Sequence, residues 1–164
     1  MKQAGVTLIE MMIVVLLIGL LALAASPFTS GWVKSADVSK TLAALEQAVG
    51  SAKATALRNA TAVQGDVAAS ALCLADSKLQ LVTTVAGAAA INCNAVAADA
   101  VLWSTAIPQG VDIKWGELGV SDWTCSCFTN KGLLSATAAN CNTCATNLTF
   151  TVSSGAESET LNIY

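Results

Sequence analysis

The feature that most constrains this chain is an uncharged apolar run, Met11 to Ala25, bordered on its N-terminal side by one carboxylate, Glu10. Counted from Val6 to Ala25, the segment is about twenty residues, roughly 30 Å as a helix, which matches the hydrocarbon core of a bilayer. Lys2 precedes the run, so the positive-inside tendency keeps the extreme N-terminus in the cytoplasm and exports the rest. A carboxylate inside such a segment is costly in lipid and calls for a partner. Cleavage after Gly5 would place a new α-amine on Val6, four residues ahead of Glu10. Glu10 can pair with that amine in its own chain or with the amine of a neighbour. Neutralising both charges would let the helix leave lipid and pack against other helices. The plainer reading is an interfacial Glu tolerated near the helix end.

Composition agrees with one apolar element joined to a polar body. The chain has 164 residues, 54% apolar and 12% charged, enough for one modest domain plus a long element. From Thr61 onward, three lysines face eight carboxylates, giving a net charge of −5. Such a body has no basic stripe for a nucleic-acid backbone, so nucleic acid is not an expected partner. There is no histidine, which removes the commonest general base and the commonest zinc ligand. No Ser/His/Asp set, phosphate-binding Gly loop or metal-spaced carboxylate group appears, so neither an enzyme nor a cofactor is expected.

The body divides into a helix and a set of strands. Val38, Leu42, Leu45, Val49, Ala52 and Ala56 recur at three- and four-residue steps, predicting an amphipathic helix over about Lys34 to Asn59 with its stripe on a sheet. Pro27, ahead of it, should kink the helix or mark its exit from the membrane. Beyond Thr61, the candidate strands are Ala71–Leu74, Leu79–Val85, Val101–Ser104, Val111–Trp115, Trp123–Phe128, Leu148–Val152 and Thr160–Ile163. Ser153 to Ala156 and Asn130 to Gly132 read as turns, and Ala86 to Ala100 as a loop. The fold class is therefore α+β: a long N-terminal helix on an antiparallel β-sheet domain. Its segments are a leader (1–5), a transmembrane or filament-core helix (6–26), an amphipathic half (27–60) and a disulfide-stapled β domain (61–164).

The six cysteines, Cys73, Cys93, Cys125, Cys127, Cys141 and Cys144, form an even set behind an export-type N-terminus and read as disulfides. Locality favours Cys73–Cys93. Cys125 and Cys127 share one strand face, so the other four allow nested pairs (Cys125–Cys144 with Cys127–Cys141) or crossed ones. Two other readings are a four-thiolate zinc site and a Cys141-x-x-Cys144 redox pair, but an exported chain meets oxidation first and lacks a βαβ setting. No metal is therefore expected. Trp32, Trp103, Trp115 and Trp123 read as core or subunit-contact residues.

Gly5-Val6-Thr7-Leu8-Ile9-Glu10 followed by an apolar helix resembles the class III signal of type IV pilins and type II secretion pseudopilins. The resemblance implies cleavage after Gly5 by a prepilin peptidase, N-methylation of Val6, and Glu10 as the assembly carboxylate. Val6 stands where that family usually has Phe. It also implies an inner-membrane single-pass precursor with a periplasmic body that becomes part of an extracellular pilus with other pilin subunits, major and minor. Pro27-Phe28, Trp32 and Ala52-Lys53-Ala54-Thr55-Ala56-Leu57-Arg58-Asn59 are similar to the FimT/FimU (GspH/FimT) group of minor subunits, as is Phe128 with Gly132. The helix end lacks that group's Glu and is one residue shorter before Arg58. This implies a minor pilin that enters or primes the pilus, near the tip. An H-type pseudopilin of type II secretion and a DNA-binding minor pilin are the alternatives. An ordinary secretory signal, cut after Ala22-Leu23-Ala24, is the competing reading of the N-terminus.

Overall fold

The computed structural model describes residues 7–85, 91–116, 119, 121–135 and 144–163; within the helix, the side chains of residues 24–30 fall outside the description. One helix, α1 (Leu8–Arg58), spans 51 residues, about 76 Å at the standard rise. It starts on Thr7, whose backbone is extended and whose hydroxyl accepts from the Glu10 amide at 3.4 Å. It ends on Asn59, held in the left-handed region at φ 40°. The Asn59 side chain then clamps the return: Oδ1 accepts from Val63 N and Nδ2 donates to Val63 O, both at 2.8 Å. An Asn is suited to this place because it tolerates the left-handed region and offers both a donor and an acceptor.

The two halves of α1 differ completely. Every described side chain from Thr7 to Leu23 is exposed, including Leu8 at 79% and Leu23 at 76%. From Val38 on, a stripe goes fully under: Val38, Thr41, Leu45, Ala48, Val49, Ala52 and Ala56. The expected stripe is present with one exchange, because Leu42 is only partly buried and Thr41 takes the core position. Thr41 is tolerated there because its hydroxyl donates back to Asp37 O at 2.8 Å. The helix continues through Pro27, which lies among the residues whose side chains are not described. Among the described residues, no helix is long and apolar enough to cross a membrane. The expected span, 6–26, runs past the described side chains at both ends.

The strands are β1 (Ala68–Ala75), β2 (Lys78–Thr83), β3 (Val101–Ala106), β4 (Asp112–Trp115), β5 (Ser121–Asp122), β6 (Cys125–Thr129), β7 (Thr149–Ser154) and β8 (Glu157–Asn162). They form two antiparallel four-stranded sheets, ordered β3-β2-β1-β6 and β5-β4-β7-β8. Each expected strand has a counterpart with shifted ends, and β5 is an addition. The described part of the expected loop 86–100 carries no strand until β3, but Ala98–Ala100 forms a short 3-10 helix; residues 86–90 lie outside the description. Asp76 and Ser77, at φ 51° and 56°, close the β1–β2 hairpin as the favoured tight turn for twisted strands. Gly155 turns β7 into β8 at φ +62°, and any side chain there would meet Lys34 Nζ at 2.8 Å from its Cβ.

Helix α1 packs on β1, β2 and β6 of the first sheet and on β7 and β8 of the second. Ala52 lets β1 come close enough for Ser70 Oγ to donate to Ala52 O at 2.8 Å. Trp123, between β5 and β6, lies in the joint: its ring meets Phe150 edge-on at 5.6 Å, and Nε1 donates to Ser126 Oγ at 2.9 Å. Trp103 and Trp115 pack partly buried against this core, whereas Trp32 is 85% exposed.

Candidate assembly site

Glu10 stands in the first turn of α1, three residues after the Thr7 cap, and its side chain is exposed. Thr7-x-x-Glu10 has the spacing of a capping box, and a carboxylate in the first turn suits the positive end of the helix dipole. Glu10 therefore has a local reason to be acidic besides any pairing between subunits. Thr7 thus joins the site, and the signal for it in the sequence is Thr-x-x-Glu ahead of an apolar run. Gly5 and Val6 lie outside the described residues.

Beyond Glu10, the exposed surface is one apolar rod: Met11, Met12, Ile13, Val14, Val15, Leu16, Leu17, Ile18, Leu20, Leu21 and Leu23 are each between 44% and 76% exposed. Soluble monomers rarely show a continuous apolar surface of this size, so something must cover it. Trp32 and Val33, at 85% and 59% exposed, add separate apolar surface nearer the body.

The cysteines gather at the other face of the first sheet. Leu72 points to the α1 core, while Ala71 and Cys73 alternate to the opposite face, where a second cluster contains Cys73, Cys125, Cys127 and Cys144. Cys73 is bonded to Cys93 and Cys125 to Cys144, with Cα separations of 5.2 and 4.7 Å. Cys127 is also disulfide-bonded; Cys141 lies outside the described residues. The four-thiolate zinc reading fails because Cys125 and Cys144 are bonded to each other. The Cys141–Cys144 redox pair fails because Cys144 is held by Cys125. Among the described residues, no group of three or more His, Cys, Asp or Glu could hold a metal ion.

Two segments that follow β6 in the chain return to its outer edge, one of them tied there through the Cys125–Cys144 bond. Ala145 N donates to Cys125 O at 2.8 Å and Ser135 N to Cys127 O at 2.9 Å, so these segments occupy the free edge of β6. Covering an edge in this way removes a template for unwanted strand pairing.

Residues 1–26 match the family model for the prokaryotic N-terminal methylation motif. No curated protein and no solved structure gives a significant match. The motif, joined to a long helix on an antiparallel β domain, supports a type IV pilin-like protein. Such a motif implies processing by prepilin peptidase and assembly with other pilins, and it points to a structural protein.

Proposed function

We propose that the chain is a minor pilin of the FimT/FimU type, held in the inner membrane by residues 6–26 and then built into a type IV pilus near its tip. Prepilin peptidase cuts after Gly5 and Val6 receives the methyl group. Glu10 pairs with the terminal amine of a neighbouring subunit, which neutralises both charges as the helix leaves the bilayer. The observation that carries this reading is the exposed apolar rod of α1, which lies within the matched methylation motif, residues 1–26. Lipid covers the rod before assembly, and neighbouring helices cover it afterwards.

The acidic surface disfavours the DNA-binding alternative. The last strand, β8, exposes Glu157 and Glu159, where a phosphate-binding surface needs cations. Quantifying the chain in sheared filaments tests the main reading. A small fraction relative to the dominant subunit supports a minor pilin; absence from filaments, with loss of secretion rather than piliation on deletion, would replace it with a pseudopilin.

A further inference from the structure

Trp32 is the most exposed of the described large apolar side chains, at 85%. The other three tryptophans pack within or against the core of the body. Its place on α1 keeps Trp32 out of that core. It precedes the buried Thr41 by about two and a half turns, so it leaves the helix on the side opposite the buried stripe. The body begins just beyond it: Lys34 Nζ lies 2.8 Å from where a Cβ on Gly155, in the β7–β8 turn, would stand. Trp32 therefore stands at the rod side of the body, directed away from it.

Register along the helix says what covers such a residue. α1 is continuous from Leu8 to Arg58, so the Trp32 Cα lies about 10 Å beyond Ala25, the last residue of the uncharged apolar run. Side chains on a helix lean back toward its N-terminus, which brings the indole to roughly 5 Å from the end of the run. A bilayer has a headgroup layer about 5–8 Å thick on each side of its hydrocarbon core. The indole thus falls at the level where tryptophan is enriched in membrane proteins, because its ring is apolar and its N–H still finds a polar partner there.

We propose that Trp32 is an interfacial anchor: before assembly its indole lies in the lipid headgroup layer on the exported side of the bilayer and sets the height of the body above the membrane. The inference rests on the reading of residues 6–26 as a membrane segment. The anchor also fixes depth at the other end of the rod. Glu10 lies about 33 Å from Trp32 along α1, which holds its carboxylate within about two turns of the cytoplasmic edge of the hydrocarbon core.

The test uses the full-length chain, one copy per phosphatidylcholine nanodisc, so that no neighbouring subunit can cover Trp32. Tryptophan emission is compared between plain lipid and lipid brominated near the headgroup end of its acyl chains, and flotation with phosphatidylcholine vesicles is measured separately. Wild type should float and be quenched by the brominated lipid. Trp32→Leu should float equally well and lose most of that quenching. Trp32→Leu with Ala36→Trp keeps four tryptophans but moves the indole one turn outward on the same side of α1, and should be quenched roughly twofold less than wild type. Both positions are exposed, so neither variant disturbs the core. A chain that floats but shows no quenching in wild type, or equal quenching in wild type and Trp32→Leu, overturns the anchor and leaves the membrane segment standing; Trp32 would then be a contact between subunits. Undiminished quenching with the indole at position 36 would also overturn it, since depth would not matter. A chain that does not float overturns both the anchor and the membrane segment.

Discussion

Cys73 and Cys125 are direct cross-strand partners on β1 and β6, and each carries a disulfide to a different segment, one ending in Cys93 and the other in Cys144. The two staples therefore start from one point on the sheet and fix two stretches of chain over its outer face. A domain with so few large core side chains gains order there from covalent closure rather than from bulk.

Replacing Cys125 and Cys144 together with serine should cost about 3 kcal/mol, as expected for closing a loop of this length; the sequence separation is 19 residues. Thermal unfolding of the full-length chain in detergent, followed by circular dichroism, reads the loss directly. An unchanged midpoint would mean that the backbone bonds from Ala145 and Ser135 to β6 hold the segment without the bond.

The two halves of α1 should respond oppositely to the same kind of substitution. Leu45→Ala removes a fully buried side chain and should destabilise the body by about 2–5 kcal/mol. Leu16→Ala alters an exposed position in the rod, 62% accessible, and should leave unfolding of the body unchanged. Its effect should appear instead as a reduced amount of the chain in filaments.

Asn59 should be separable into its two roles. Asn59→Ala loses both bonds to Val63 and places an ordinary residue in the left-handed region, costing about 2 kcal/mol. Asn59→Gly loses the bonds but keeps the conformation, and should cost about half as much. Chemical denaturation of the two variants side by side provides the comparison.

Trp123→Phe should cost about 1–3 kcal/mol by removing the indole donor and leaving the buried Ser126 hydroxyl without it. The edge-on contact with Phe150 should largely survive, so Trp123→Phe with Ser126→Ala should recover part of the loss. Denaturant midpoints of the single and double variants measure this.

These predictions depend on features that the sequence disclosed unequally. The helical stripe was legible because Val38, Leu45, Val49, Ala52 and Ala56 obey the helical period, and period survives any tertiary context. The exchange of Leu42 for Thr41 was not, because a hydrogen bond to Asp37 O makes a polar residue acceptable where hydropathy argues against it. The strands were legible from local composition, but their division into two sheets was not. Pairing of β1 with β6, or β4 with β7, joins residues far apart in sequence, and no local signal encodes it. β5 is not legible because Ser121–Asp122 is too short to show an alternation. At the candidate assembly site, Glu10 is conspicuous as a charge beside an apolar run, whereas its relation to Thr7 shows only as the Thr-x-x-Glu spacing.

Glu10 now has a local role at the start of α1 and a proposed role between subunits, and substitution separates them. Glu10→Gln keeps a side chain that can serve the cap but removes the charge. It forgoes only the dipole contribution, about 0.3–1 kcal/mol at an exposed helix start, so thermal unfolding should hardly move while recovery in sheared filaments falls sharply. Equal recovery would confine Glu10 to the cap.

The central claim, that the apolar segment is retained and becomes an assembly element, is tested most directly by the mass of the N-terminal peptide of the mature protein. The account predicts a peptide beginning at Val6, heavier by one methyl group, with Glu10 and the whole apolar run still attached. A mature N-terminus at Ala25 would contradict it, since the rod would then be a discarded signal and nothing of the assembly mechanism would remain.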